Sequence, residues 1–169
     1  MRYLGAILLL VFQSAGASAQ QNWQPTQEMM ERAVAVNDTF WGHVDSGNYD
    51  AAYAMFDAYL ASQITHSQFR DLAQDIVDAT GPVMARNAVK VTWYRRPGPD
   101  GQLTSFAALD FTAAAQNVEI YCGYLVIHFP DDGATGVMRF EQNYVENQVA
   151  SGMTAEQRRQ VAAAYNCQE

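Results

Sequence analysis

Along the chain the spacing of apolar side chains changes once, from a helical to an extended period. From Gln27 onward Met30, Ala33, Val34, Asn37, Phe40, Trp41 and Val44 recur at steps of three and four. That spacing predicts an amphipathic helix with a broad apolar stripe turned to a core, Asn37 being its one polar member. Asp45-Ser46-Gly47 stops the helix, because glycine takes the left-handed conformation beyond a helix cap without a Cβ clash. A second helix is expected at once, with Tyr49, Tyr53, Phe56 and Leu60 on one side and Ala52 small enough for close approach. The stretch DSGNYDAAYAMF, residues 45–56, then reads as a tight corner between helices. THSQFRDLAQDIVDATG signals a third helix: Thr65 and Gln68 have capping-box spacing, Phe69, Leu72, Ile76 and Val77 form the apolar stripe, and Gly81-Pro82 ends it.

After Arg86 the period becomes two. NAVKVTWY places Val89, Val91 and Trp93 on one face, RRPGPDGQ supplies a turn, and TSFAALDFT resumes with Ala107, Leu109 and Phe111 on one face. VEIYCGYLVIHF is apolar on both faces, as a strand central in its sheet is. DDGATG makes the last turn, and VMRFEQNYV sets Met138, Phe140 and Tyr144 against Arg139, Glu141 and Asn143. A short carboxy-terminal helix follows, with Thr154 and Gln157 at capping-box spacing and Val161, Ala162 and Tyr165 as a modest stripe. A Gly-x-Tyr element with a later alanine also suits a helical repeat, but about four strands in hairpin succession exclude a solenoid. Helices first and an antiparallel sheet afterwards mean α+β: three N-terminal helices on a sheet of about four strands, plus the short C-terminal helix, in one domain over residues 27–169.

The amino terminus adds a compartment. MRYLGAILLLVFQSAGASAQ combines Arg2, an uncharged run from Tyr3 to Phe12 and a small-x-small Ala17-Ser18-Ala19, the pattern of a cleaved export signal over residues 1–19. Ten apolar residues span only about 15 Å, half the hydrocarbon core, so a membrane anchor is the poorer reading. With no cysteine near the cleavage point, lipidation is not offered either. Residues 20–26 read as a flexible leader whose one large apolar group is Trp23. The expected location is the periplasm or the medium.

Loss of Arg2 with that segment leaves nine basic against eighteen acidic side chains, a formal charge of −9, which opposes nucleic acid and anionic lipid. The two cysteines, Cys122 and Cys167, are expected to bridge in an oxidising compartment, tying the last helix to the two-sided strand. Closing a loop of about 45 residues contributes about 4 kcal/mol in the chain-entropy treatment.

Helix, Asp45-x-Gly47-x-Tyr49-Asp50-x-Ala52-Tyr53, a helix opened by Thr65 to Phe69, Gly81-Pro82, Arg86 and then antiparallel strands resemble the NTF2-like, cystatin-like α+β superfamily, in particular its exported bacterial domains without an assigned function. The likeness covers about Val36 to Glu146 and rests on packing and turn residues. It implies a strongly curved sheet wrapped around helices into a cone with an apolar mouth, used for binding, assembly or, less often, chemistry. The chain departs from the pattern at its end, where FEQNYVENQ stands in place of a tryptophan-containing strand.

Candidate chemistry is sparse. His43, His66 and His128 have no spacing that sets two ligands on one face, so no metal site is expected. His43 suits the end of the first helix, His66 lies in a cap, and His128 reads as a hydrogen-bonded, half-buried histidine. Asp110 is the more suggestive candidate base, a mid-strand carboxylate between Leu109 and Phe111, although alternation places it opposite Leu109 with Ala108 and Thr112; an enzyme reading needs Asp110 or His128 in the cavity. Ser67 and Ser105 lack a nucleophile elbow, and no glycine-rich phosphate loop precedes a helix, so no cofactor is expected. Arg95 and Arg96 read most simply as solubilising residues at a hairpin tip, with anion binding as the alternative.

Aromatic residues are plentiful, and Trp93 and Tyr121 are the candidate binding residues. The expected function is an exported, non-catalytic module that binds a protein partner or a small apolar ligand through an aromatic-lined cone or an exposed sheet face. Two alternatives are a small pocket enzyme of the isomerase or dehydratase type and a structural subunit of an envelope assembly, with a homodimer compatible with either sheet use.

Overall fold

The computed structural model describes residues 23–98, 101–131 and 134–167. The predicted export segment, the first residues of the leader, and the centres of both turn segments at 99–100 and 132–133 lie outside the described residues.

Helix α1 spans Gln27–Asp45, with the Thr26 side chain accepting from the Met29 N–H. It ends as its glycine requires. Gly47 sits at φ +74°, its N–H bonds to Val44 O at 3.0 Å, and Asn48 N–H reaches back to His43 O at 2.8 Å, the paired closure of a Schellman motif. The buried stripe runs through Ala33, Asn37, Phe40, Trp41 and Val44. Met30 and Val34, expected on it, are exposed, and the half-buried Met29 and Val36 take their places.

The predicted second helix is two pieces, so four helices rather than three precede the sheet. Helix α2 covers only Tyr49–Tyr53, and α3 covers Ala58–Gln63. Between them Phe56 leaves the helix to bridge Val137: Val137 N–H donates to Met55 O at 2.8 Å and Asp57 N–H to Val137 O at 2.9 Å. Pairing to a distant strand overrides a sound helical period, and Asp57 restarts the helix by accepting from Leu60 N–H at 2.8 Å. Helix α4 spans His66–Thr80 with both halves of the predicted capping box formed. It buries Phe69 and Ala73, while Leu72 is exposed.

Strands β1 (Val83–Pro97), β2 (Leu103–Ala115), β3 (Val118–Phe129) and β4 (Gly136–Glu146) form an antiparallel meander in the order β1-β2-β3-β4. β1 starts right after Gly81-Pro82, earlier than the change of period at Arg86, because register breaks at Met84 and Val89 obscure the alternation. Val89 and Val91 lie on this edge strand and are exposed.

One face of the sheet carries Leu109, Phe111, Leu125, Ile127 and Val137 and packs beneath Phe40, Trp41 and Val44 of α1 and Phe69 of α4. We call this the inner face. Gly123 lies on it in register with Phe111, where a Cβ would come within 2.0 Å of the Glu141 carbonyl oxygen. Two short helices, α5 (Asn147–Ser151) and α6 (Ala155–Ala164), end the chain where one was expected. The disulfide Cys122–Cys167 holds α6 against the outer face of β3. α6 buries no residue of its own, so the covalent tie substitutes for a packed stripe.

Candidate functional site

The outer face is where the sheet keeps apolar side chains without a helix along its whole length. In register across it stand Tyr94 and Phe106, then Phe106 and His128, and further along Ala108 and Val126. The rings stack in a row, Tyr94 on Phe106 at 5.4 Å and Phe106 on His128 at 4.9 Å. Because β4 begins beside the α2–α3 crossing, α3 is carried over the rim of this face. A groove of about 430 Å³ results, lined by Tyr59 and Leu60 of α3, Tyr94 and Arg96 of β1, Tyr124 and Val126 of β3, and Met138 and Arg139 of β4.

Its walls are held by polar contacts. The Arg96 guanidinium lies over Phe106 at 5.0 Å and Tyr94 at 5.5 Å, and that of Arg139 over Tyr124 at 5.3 Å. The Tyr124 hydroxyl donates to Glu141 at 2.8 Å, and burial together with that bond pushes the phenol up to about 12. The Glu141 carboxyl is lowered in turn, first by the Asn143 amide and then by Tyr124. Tyr94 is raised by burial, against the opposing pull of both Arg96 and Arg139. The two cations therefore act on a single hydroxyl.

His128 lies below the groove and joins α3 to the sheet. Its Nδ1 meets Asp57 Oδ2 at 3.2 Å and its Nε2 meets Thr104 Oγ1 at 3.2 Å. Hydroxyl, imidazole and carboxylate in series are the makings of a nucleophilic relay. Here the Thr104 proton is committed to Phe129 O at 2.8 Å, and Asp57 is also the cap of α3. The arrangement acts as a latch that seats α3.

The remaining sequence candidates are scattered. Trp93 is half-buried on the inner face, 5.2 Å from Phe129 and 6.3 Å from Trp23. Beside it lies a depression of about 310 Å³ lined in part by Trp23, Met29, Arg32, Arg95 and Phe129. Tyr121 is buried under α1, where its hydroxyl accepts from Arg86 Nη2 at 3.3 Å and donates to Gln142 Oε1. The structure does not bring Trp93 and Tyr121 into one lining. Asp110 lies on the outer face between Lys90 and Tyr124, its carboxyl raised by burial and only partly offset by Lys90. His66 bonds Asp50 at 2.8 Å, and His43 lies in the last turn of α1. Among the described residues no three His, Cys, Asp or Glu side chains gather into a set that could hold a metal ion.

Sequence reasoning missed Tyr59, Leu60, Arg96, Val126, Met138 and Arg139 as a set. The available signal was the second apolar face of VEIYCGYLVIHF, which the helix tied to Cys122 covers only at one end.

The family described as "Protein of unknown function (DUF4019)" matches residues 35–140, more than half of the chain. The chain belongs to that family. Its matched span runs from the middle of α1 into β4 and includes Arg86, both groove arginines and the α3 crossing, but not α6 or Cys167. No curated protein matches the chain, and no solved structure does.

Proposed function

We propose that this DUF4019 protein is an exported, non-catalytic binding module of the NTF2-like kind that holds its ligand in the groove on the outer sheet face. The groove itself carries the reading: three tyrosines and two arginines surround about 430 Å³, a volume on the small-molecule scale, on walls fixed by the Asp57–His128 latch. The NTF2-like assignment is supported by the order of helices followed by an antiparallel meander, with α1 across the inner face. Export is supported by the signal-like segment and the Cys122–Cys167 disulfide. No helix among the described residues is long and apolar enough to cross a membrane.

A second reading keeps the ligand at Trp93, favoured by the depression that Trp23 and Phe129 line beside it. One experiment separates the two. Compounds that raise the melting temperature of the purified protein are re-tested on Tyr59→Ala, Tyr124→Ala and Trp93→Ala. Loss of about 2 kcal/mol of binding at Tyr59 and Tyr124, with Trp93→Ala neutral, supports the groove. The reverse pattern moves the site to Trp93.

A further inference from the structure

The groove is unlike the rest of the molecule in charge. The chain carries a net formal charge of −8, yet the two charged side chains that line the groove are both arginines. We infer that it selects a small organic monoanion, a carboxylate on a flat apolar body, with the charge taken by Arg96 and Arg139 and the body lying among Tyr59, Tyr94 and Tyr124. This rests on the groove reading given above.

Each part follows from a contact. The Arg96 guanidinium makes no hydrogen bond or ion pair among the described residues. Its partners are the ring faces of Tyr94 and Phe106, which hold a guanidinium in place but accept none of its N–H groups. Those donors remain for a ligand, and a carboxylate matches their fork. Arg139 bonds Glu141 at 3.2 Å and lies over the Tyr124 ring, with its side chain 64% exposed. Two acids lie beside the groove: Glu141, already met by Tyr124, Asn143 and Arg139, and Asp110, which stands between Tyr124 and Lys90. With Asp110 set against Lys90, the two guanidiniums less the Glu141 carboxylate leave one net positive charge, which suits a monoanion better than a phosphate dianion or a cation. Leu60, Val126 and Met138 supply apolar floor, and the tyrosine rings favour a flat body that can lie against them.

The test is a titration of ¹⁵N-labelled protein with 2-naphthoate and, separately, with its neutral isostere 2-naphthamide, followed by amide chemical shifts. The expected result is that the acid moves Tyr94, Tyr124, Val126 and Met138 and binds at least tenfold more tightly than the amide. Arg96→Gln and Arg139→Gln should each bring the acid down to the level of the amide, while Arg159→Gln, on the exposed α6, leaves it unchanged. If one groove variant fails to fold, the acid–amide comparison and the other variant still decide. Equal binding of acid and amide at the groove overturns the anion inference and leaves an apolar groove. Shifts centred on Trp23, Trp93 and Phe129, or none anywhere, overturn this inference and the groove reading together.

Discussion

Replacing Arg86 with methionine should destabilise the protein by about 3 to 5 kcal/mol, the range for removing one partner of a buried ion pair. The Arg86 side chain is only 8% exposed, and its Nε and Nη2 reach the two oxygens of Asp45 at 3.2 and 2.8 Å. Its guanidinium also lies 4.4 Å from the Trp41 ring centre and 4.2 Å from that of Phe111. Methionine keeps much of the stem packing, so the loss is chiefly electrostatic. It leaves Asp45 at the carboxyl end of α1, where the helix dipole already opposes a negative charge. Asp45 is 22% exposed and can recover some hydration, which places Arg86→Met at the lower end of the range. Asp45→Asn strands a deeper charge and should cost more. The double variant should be less damaged than the sum of the singles, with a coupling of about 2 kcal/mol or more. Urea unfolding followed by circular dichroism measures all three. A cost below about 1 kcal/mol for Arg86→Met, or simple additivity in the cycle, would refute the claim that this pair ties α1 to the sheet.

Three further outcomes are expected. Gly47→Ala should cost about 1 kcal/mol and Gly47→Val more, since a Cβ there meets no atom within 4 Å and the whole penalty is the left-handed backbone; equal melting temperatures for all three proteins would contradict it. Cys167→Ser should lower the melting temperature and release α6 while the sheet stays folded, seen in hydrogen exchange as lost protection confined to residues 155–164; retained protection there would show that packing, not the disulfide, holds the helix. Asp110 has a raised carboxyl, so its favourable contribution is present below the unfolded value and lost as pH rises through the folded one. Asp110→Asn should therefore gain stability relative to the parent on going from pH 3.5 to pH 7, and a melting-temperature difference that shrinks instead would show that burial does not govern this carboxyl.

Much of the architecture is local and was therefore legible in the chain. The capping boxes at Thr65 and Thr154, the stop at Gly47 and the two-sided strand from Val118 to Phe129 depend on neighbours within a few residues or on one strand's own alternation. The cysteine pair was readable because only one pairing exists. Tertiary structure decided whatever depends on a residue far away in sequence. Phe56 continued a helical period, yet the backbone groups of Val137 drew its flanking residues out of the helix. Arg86 looked like a marker between helix and strand, and only the packing of α1 onto the sheet set it against Asp45, 41 residues away. The groove is the extreme case, since its lining comes from four separate elements and its roof exists because Asp57 meets His128 across 71 residues. Periodicity reports which face of an element is apolar; what comes to lie on that face is set by contacts between segments that no local pattern encodes.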